Sequence, residues 1–116
     1  MRDARESDWS IEPLPALHEV VELGQVYSDK DIEAIRKGFV PEEMEEKWFI
    51  YWKDERLHFH RSWTGFCIFI LEFESRSKGY VATRFLVNRD PQQYKADDAE
   101  KDRETVLSLI EGFLLR

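Results

Sequence analysis

The chain has 116 residues, the size of one domain, and 42 % of them are hydrophobic, which is enough to build one core. Its formal net charge of −7 repels the phosphates of nucleic acids and of anionic membranes, so we expect neither as a partner. A basic partner protein remains compatible with this charge, as does plain solubility.

The cysteine content and the N-terminus bear on the cellular compartment. Cys67 is the single cysteine, so no disulfide can form within the chain, as is typical of a reducing compartment. The first ten residues lack an apolar signal core. The longest apolar run, Phe66–Leu71, is far shorter than the ~20 residues that span a bilayer. We therefore expect a soluble cytoplasmic protein.

The N-terminal segments are an arm and a stretch of mixed character. Residues 1–12 are polar and charged and predict a flexible arm, whose end Trp9 and Ile11 can attach to the body. Residues 13–24 contain two prolines and several apolar side chains, and the element they form is expected to end at Gly24. This pattern fits either a short helix or an extended strand that covers the sheet.

Helix signals occur on both sides of a strand-rich centre. Ser28 with Asp31 resembles a capping box and predicts a helix that ends at Gly38, with a further helical turn beginning at Pro41. Residues 97–115 predict a C-terminal helix that packs on one face of the sheet, because its apolar residues follow a helical period. These residues are Val106, Leu109, Ile110, Phe113 and Leu114.

The centre of the chain has the alternation and the β-branched and aromatic content of strands. The predicted strands are Lys47–Lys53, Arg56–Arg61, Phe66–Glu74 and Gly79–Asn88. Because short breaks join antiparallel neighbours, the sequence predicts a four-stranded meander. Residues 13–116 are therefore expected to form a single α+β domain.

The register follows from the lengths of the breaks. A two-residue turn at Asp54-Glu55 predicts that Ile50 pairs with Phe59 and Tyr51 with His58. The later loops predict four further pairs, which are Phe59 with Ile68, His58 with Phe69, His60 with Cys67, and Arg84 with Phe69. A slip of one residue in any strand would exchange the two faces.

This register divides the sheet into an apolar face A and a mixed face B. Face A is expected to comprise Trp48, Ile50, Trp52, Leu57, Phe59, Phe66, Ile68, Ile70, Val81, Phe85 and Val87. Face B is expected to comprise Phe49, Tyr51, His58, His60, Cys67, Phe69, Leu71, Phe73 and Arg84. Since polar groups converge there on a half-apolar surface, face B is the expected place for a ligand.

The clearest metal-like pattern is His58-Phe59-His60. Alternation on a strand turns both imidazoles to one side, but a metal needs further ligands, and Cys67 and Asp90 are weak candidates. A half-exposed sheet face that tolerates histidine explains the pattern as well. No nucleotide-binding or zinc-ribbon motif occurs, so we expect neither a metal nor a cofactor.

The loop Arg61-Ser62-Trp63-Thr64-Gly65 combines a cation, hydroxyl groups and an indole. Such a loop can hold an anion or a flat ring, because arginine donates two hydrogen bonds and tryptophan offers a face for stacking. The structural alternative is a hairpin loop in which Trp63 folds back over the core and Arg61 stacks on Trp48.

A second polar loop, Asn88-Arg89-Asp90, follows the last predicted strand. In a meander this loop lies at the same end of the sheet as Arg61–Gly65, so the two are expected to form one rim. The structural alternative is a turn before proline with a local ion pair between Arg89 and Asp90. The expected ligand-binding residues are His58, His60, Arg61, Ser62, Trp63, Thr64, Arg84, Asn88, Arg89 and Asp90.

Three stretches of the chain are distinctive. They are Trp48-Phe49-Ile50-Tyr51-Trp52, Leu57-His58-Phe59-His60-Arg61-Ser62-Trp63-Thr64-Gly65 and Val87-Asn88-Arg89-Asp90. Across about residues 46–94 the chain resembles a family of small bacterial proteins of unassigned function. The resemblance implies no activity. It favours the idea that the two polar loops act together.

Three functional hypotheses follow. The first is a non-enzymatic binding module for a basic partner protein or for a small anionic or planar ligand. The second is a small enzyme acting on a phosphorylated or nucleotide-like substrate, in which Arg61 and Arg89 bind the anion and His60 or Asp90 transfers a proton. The third is a homodimer formed through a sheet edge or face B. Small size and the lack of a complete catalytic set favour the first hypothesis over the enzyme.

Overall fold

The computed structural model describes residues 3–116 and shows an α+β fold with a five-stranded antiparallel sheet. The strands are β1 (His18–Tyr27), β2 (Trp48–Lys53), β3 (Arg56–Arg61), β4 (Cys67–Arg76) and β5 (Gly79–Asn88), in the order β1-β5-β4-β3-β2. The helices are a short 3-10 turn (Glu6–Asp8), α1 (Asp29–Lys37) and α2 (Ala99–Leu109), which continues as a π-helical segment (Ile110–Leu114). None of the helices within residues 3–116 is long and apolar enough to cross a membrane.

The prediction of four strands is wrong, because β1 adds a fifth. It lies at the edge of the sheet, antiparallel to β5, and neither forms a helix nor covers a face. The strand continues through Gly24, where it was expected to stop. Gly24 has a φ of 77°, which glycine adopts without strain, and it sits in a bulge between Glu22 and Gln25.

The predicted helix after Ser28 is confirmed, and so is its capping box. The Asp31 amide donates to Ser28 Oγ at 3.1 Å, and the Ser28 amide donates to a carboxylate oxygen of Asp31 at 3.3 Å. The helical turn expected at Pro41 does not form. Instead the amides of Glu42 and Glu43 both donate to one carboxylate oxygen of Glu46, which closes a non-helical turn.

The β2–β3 register is confirmed. Ile50 pairs with Phe59, and Tyr51 pairs with His58. Asp54 and Glu55 both adopt positive φ angles, 55° and 60°, as a tight two-residue hairpin turn requires. The length of this turn was therefore enough to place every residue of the hairpin.

The β3–β4 and β4–β5 registers differ from the prediction. A bulge next to His60 shifts the pairing, so Phe59 lies opposite Phe69 and His58 opposite Ile70, while the expected pairing of His60 with Cys67 is confirmed. A second bulge and a shorter turn place Arg84 opposite Glu72 instead of Phe69. The predicted pairs Phe59 with Ile68, His58 with Phe69 and Arg84 with Phe69 are therefore wrong.

These two bulges move some residues of the sheet from the face on which they were expected to the other face. The Phe69 ring contacts the rings of Trp48, Phe59 and Phe85 on face A, where it was not expected. Leu71 and Phe73 follow it into the main core, and Ile70 turns to face B. The core lies between face A and the helices, whose buried apolar residues are Ile32, Ile35, Val106, Ile110 and Leu114. Face B keeps Phe49, Tyr51, His58, His60, Cys67 and Arg84.

Candidate functional site

The N-terminal arm lies on face B. The Ala4 amide donates to the last carbonyl of α1 at 2.8 Å, the Trp9 ring stacks on Phe49 with 5.8 Å between ring centres, and the Glu12 amide donates to the Gly65 carbonyl at 2.9 Å. The expected attachment through Trp9 is thus present. The first two residues of the predicted flexible arm lie outside the described residues.

Between this arm and the sheet lies a cleft of about 390 Å³, which we call the histidine cleft. Its floor is formed by strand residues of face B, and its wall by the arm and the segment that follows it. The floor residues are Tyr51, His58, His60, Cys67 and Ile70, and the wall residues are Glu6, Ile11, Glu12, Pro13 and Leu14. Its volume is in the range of small-molecule sites.

His60 is the most buried polar residue of this cleft, at 2 % exposed. Its Nδ1 lies 2.9 Å from the Gly65 carbonyl oxygen. Because a carbonyl only accepts hydrogen bonds, Nδ1 carries the proton and Nε2 of the neutral ring is an acceptor. Burial lowers the pKa of His60, which keeps the ring neutral. Within residues 3–116, Nε2 has no hydrogen-bond partner.

The other floor groups are uncharged at neutral pH as well. His58 stacks on Tyr51 with 4.6 Å between ring centres and 2° between ring planes. Burial, assisted by repulsion from His60, lowers the pKa of His58 to about 4. Burial also raises the pKa of the Tyr51 phenol and raises that of the Cys67 thiol to about 12.

The pair of histidines on β3 does not form part of a larger set of metal ligands. In the described part of the chain, no three or more histidine, cysteine or acidic side chains are grouped so that they could hold a metal ion. Cys67 keeps its proton because of its raised pKa, and a thiol is a poor ligand in that state.

The loop after β3 uses most of its polar groups internally. The Arg61 guanidinium lies 5.0 Å from the centre of the Trp48 ring. Arg61 therefore stacks on Trp48, as the structural alternative to ligand binding predicted. Ser62 Oγ donates to the Glu46 carbonyl at 2.8 Å, and Thr64 Oγ1 accepts from the amide of Phe66 at 3.2 Å. These groups shape the loop.

Trp63 behaves differently from its neighbours, because it does not fold back over the core. Its side chain is 65 % exposed, and its Nε1 donates to the Met44 carbonyl at 2.9 Å. Met44 is itself 72 % exposed, and Lys47 Nζ lies 4.1 Å from the centre of the Trp63 ring. We call Met44 and Trp63 the tryptophan patch.

Glutamates surround this patch. Glu42, Glu43 and Glu45 are exposed, and none of them forms an ion pair within residues 3–116. A cleft of about 240 Å³ runs between Trp63 and Trp9 and is bordered by Glu42 and Glu43. The patch therefore presents apolar surface beside acidic side chains, with the Lys47 ammonium group on the indole ring.

The loop after β5 is engaged in structural contacts. Asn88 is fully buried and its Nδ2 donates to the Cys67 carbonyl at 2.9 Å, while its Oδ1 accepts from the Asp90 amide at 2.8 Å. Asp90 in turn accepts from the Gln92 amide at 2.9 Å. The Asn88 contact with β4 places this loop at the same end of the sheet as the Arg61–Gly65 loop.

Arg84 and Arg89 are the two predicted ligand-binding arginines outside the Arg61–Gly65 loop, and both form ion pairs. Arg89 contacts Glu19 through Nε at 2.8 Å and Asp102 through Nη2 at 2.6 Å. Arg84 lies on the exposed part of face B and contacts Glu72 at 2.5 Å. Neither guanidinium is directed at the histidine cleft, whose lining contains no arginine.

Comparisons of the chain with protein-family models, curated proteins and solved structures gave no match. The candidate sites are therefore inferred from the positions and contacts of the residues in the structure.

Sequence reasoning missed Met44 and Lys47 as parts of a surface with Trp63. The run Glu42-Glu43-Met44-Glu45-Glu46 was the available signal, since one apolar residue within four acids has no role in an amphipathic helix.

Proposed function

We propose that the protein is a non-enzymatic interaction module that binds a basic segment of a partner protein at the tryptophan patch. The observation that carries this proposal is Trp63, which is 65 % exposed and held outward by a hydrogen bond to the carbonyl of exposed Met44. Tryptophan is enriched among the residues that contribute most to protein–protein binding.

The surroundings of Trp63 are ordered before any partner arrives. Glu46 Oε1 accepts from the amides of Glu42 and Glu43 at 2.7 and 3.1 Å, which closes the turn that carries Met44. Ser62 Oγ donates to the Glu46 carbonyl, which fixes this turn to the loop that carries Trp63. A surface that is already ordered loses less conformational entropy on binding.

The chemistry of the patch favours a cationic and partly apolar partner. Lys47 already places an ammonium group 4.1 Å from the Trp63 ring centre, so the ring accepts a cation in this setting. Glu42, Glu43 and Glu45 attract arginine or lysine, and Met44 adapts its flexible side chain to an apolar neighbour. An extended segment that alternates basic and apolar residues matches all three features.

The enzyme hypothesis loses support because its groups are used elsewhere. Arg61 stacks on Trp48, Arg89 is paired with two carboxylates, and His60 donates through Nδ1 to a backbone carbonyl. The dimer hypothesis used a sheet edge or face B, and on face B the buried His60, at 2 % exposed, offers no surface to a second copy.

Calorimetric titration with a short synthetic peptide that alternates arginine and leucine tests the proposal. We expect Trp63→Ala to weaken binding at least about tenfold and Trp63→Phe to weaken it less, because phenylalanine keeps a ring face. Equal affinity of Trp63→Ala and the parent protein would refute the proposal.

A matched pair of charge variants separates the patch from the net charge. The triple variant Glu42→Gln, Glu43→Gln, Glu45→Gln should weaken peptide binding and reduce its salt dependence. The control carries the same loss of three charges at exposed positions away from the patch, namely Glu33→Gln, Glu104→Gln and Glu111→Gln. If both triples weaken binding equally, the peptide responds only to net charge and the proposed site is wrong.

A further inference from the structure

A row of four residues with alternating charges crosses face B, with one residue from each of β1, β5, β4 and β3. In this order they are Glu22, Arg84, Glu72 and Arg56, and each lies opposite the next in the strand register. We call these four residues the charge ladder. The position beyond it, Lys53 on β2, is neutralised by Glu6 of the arm at 2.8 Å.

The ladder is ordered within the chain and still presents charge to the outside. Glu72 contacts Arg84 at 2.5 Å and Arg56 at 2.9 Å, which holds both arginines in place. About half of each arginine side chain nevertheless remains exposed. Glu22 is exposed and forms no ion pair within residues 3–116. A neighbouring molecule can therefore reach charges of both signs.

The ladder lies where residues 3–116 leave face B exposed. The helices α1 and α2 pack on face A, and the arm lies over β2, β3 and the first half of β4. On β1 and β5, aliphatic pairs flank the ladder on both sides, Val20 with Leu86 and Val26 with Val81. Val20 is 50 % and Val26 66 % exposed. Apolar side chains on an uncovered surface of this kind are typical of a surface that binds another protein.

We propose that this surface binds the same surface of a second copy, so that the protein forms a two-fold symmetric dimer. The order of the charges carries the proposal. A two-fold axis that runs along the strands, midway between Arg84 and Glu72, reverses the row. It places Arg84 of each copy opposite Glu72 of the other, and Glu22 opposite Arg56. Every position of the ladder then meets the opposite charge.

The same axis brings apolar groups together. Leu86 lies opposite Ile70 in the register, so it faces Ile70 of the other copy. Val20, at the outer end of this row, faces His58 at the histidine cleft of the other copy. Sheets that pack face to face lie about 10 Å apart, a distance that a glutamate and an arginine span together. The ladder thus sets the orientation, and the aliphatic residues contribute buried surface.

A second copy suits this surface better than the basic segment proposed for the tryptophan patch. Two of the four ladder charges are exposed arginines, which repel a basic partner. The surface includes neither Met44 nor Trp63, so either site can exist without the other. It also lies outside the part of face B that holds the buried His60.

Two charge reversals at exposed positions test the axis. In a homodimer, Glu22→Arg places cation opposite cation at both ends of the ladder, and Arg56→Glu places acid opposite acid. Each variant alone should self-associate at least about tenfold more weakly than the parent protein. An equimolar mixture restores every opposite pair, so it should form a heterodimer about as stable as the parent dimer. Sedimentation velocity measures the association, and native mass spectrometry identifies the mixed species.

The controls separate the ladder from net charge and from folding. Glu22→Arg makes the net charge of −7 less negative, so repulsion between whole molecules predicts stronger association of this variant, the opposite of our expectation. Lys101→Glu makes a charge reversal at an exposed position on α2 and should associate like the parent protein. The central pair, Arg84→Glu with Glu72→Arg, follows the same rule as the outer pair, and circular dichroism checks the fold of each variant.

Two results would overturn the dimer. One is a parent protein that stays monomeric at the highest concentration measured, since the exposed surface would then belong to a different partner. The other is a mixture of folded reversal variants that associates no better than either variant alone.

Discussion

Arg89 Nη2 lies 2.6 Å from Asp102 Oδ2, an ion pair that joins the end of β5 to α2. Asp102 is 1 % exposed, and its other carboxylate oxygen accepts a hydrogen bond from the Tyr94 hydroxyl at 2.7 Å. Tyr94 in turn packs its ring against Phe69 in the core. The Arg89 side chain therefore secures the helix to the sheet, although the sequence suggested a ligand-binding group.

Removal of one partner of this pair should strongly destabilise the fold. We expect Arg89→Ala to lower the free energy of unfolding by about 3–5 kcal/mol, because Asp102 would remain as a buried charge without its cation. Urea denaturation measures this. The control is Arg84→Ala, which removes a solvent-exposed partner of Glu72 and should cost much less stability, because Glu72 keeps its ion pair with Arg56. Similar losses in both variants would contradict the structural role of Arg89.

Protonation of His58 should destabilise the folded state. Its pKa is lowered to about 4, chiefly by burial, whereas the unfolded chain takes up this proton near the ordinary value of 6.5. The unfolded state therefore binds more protons between these two values, and the free energy of unfolding should fall as the pH is lowered through this range. Above 6.5 the group makes no contribution to pH dependence.

Urea denaturation at several pH values checks this expectation. The variant His58→Gln should lose less stability than the parent protein between about pH 7 and about pH 4. His60, whose pKa is also lowered by burial, contributes in the same direction and remains in the variant. An unchanged slope in His58→Gln would show that His58 is not buried as a neutral ring.

Two glycines offer a test of how firmly the arm is attached. Gly65 and Gly24 have similar φ angles, 79° and 77°, so alanine is strained at both, by roughly 1 kcal/mol. A Cβ at Gly65 would lie 2.5 Å from the Ser10 carbonyl oxygen of the arm, whereas nothing lies within 4 Å of one at Gly24. Gly65→Ala should therefore cost more than Gly24→Ala, and it should release the arm.

Hydrogen exchange completes that test. In the parent protein the amides of Ala4 and Glu12 should exchange slowly, because they donate to carbonyls of α1 and of Gly65. In Gly65→Ala the Glu12 amide should become unprotected. Fast exchange of both amides in the parent protein would support the expectation of a flexible arm and would remove the wall of the histidine cleft.

The sequence predicted elements well wherever a local signal determined them. Ser28 with Asp31 located the start of α1, and the turn at Asp54-Glu55 set the whole β2–β3 register, because a two-residue turn permits one pairing. The bulge beside His60 has no comparable local signal. It moved Phe69 from the expected face B to face A, since a single inserted residue reverses the alternation.

The sites were less predictable than the fold because they depend on contacts between distant segments. His58 and His60 were identified as partners on one face, but the wall of their cleft comes from the arm, which no periodicity connects to the sheet. Trp63 was among the predicted site residues, but its exposure follows from a hydrogen bond to the carbonyl of Met44. Because every residue carries a backbone carbonyl, the sequence does not indicate which one accepts this bond.

The most direct test of the proposed interaction uses the indole N–H signals of the four tryptophans. The arginine–leucine peptide is titrated into the labelled protein, and each N–H signal is followed. We predict that the Trp63 signal shifts most, because its Nε1 is bonded to Met44 within the patch, while the signals of Trp48 and Trp52 on face A stay unchanged. No shift of the Trp63 signal, or equal shifts of all four signals, would contradict a binding site at the tryptophan patch.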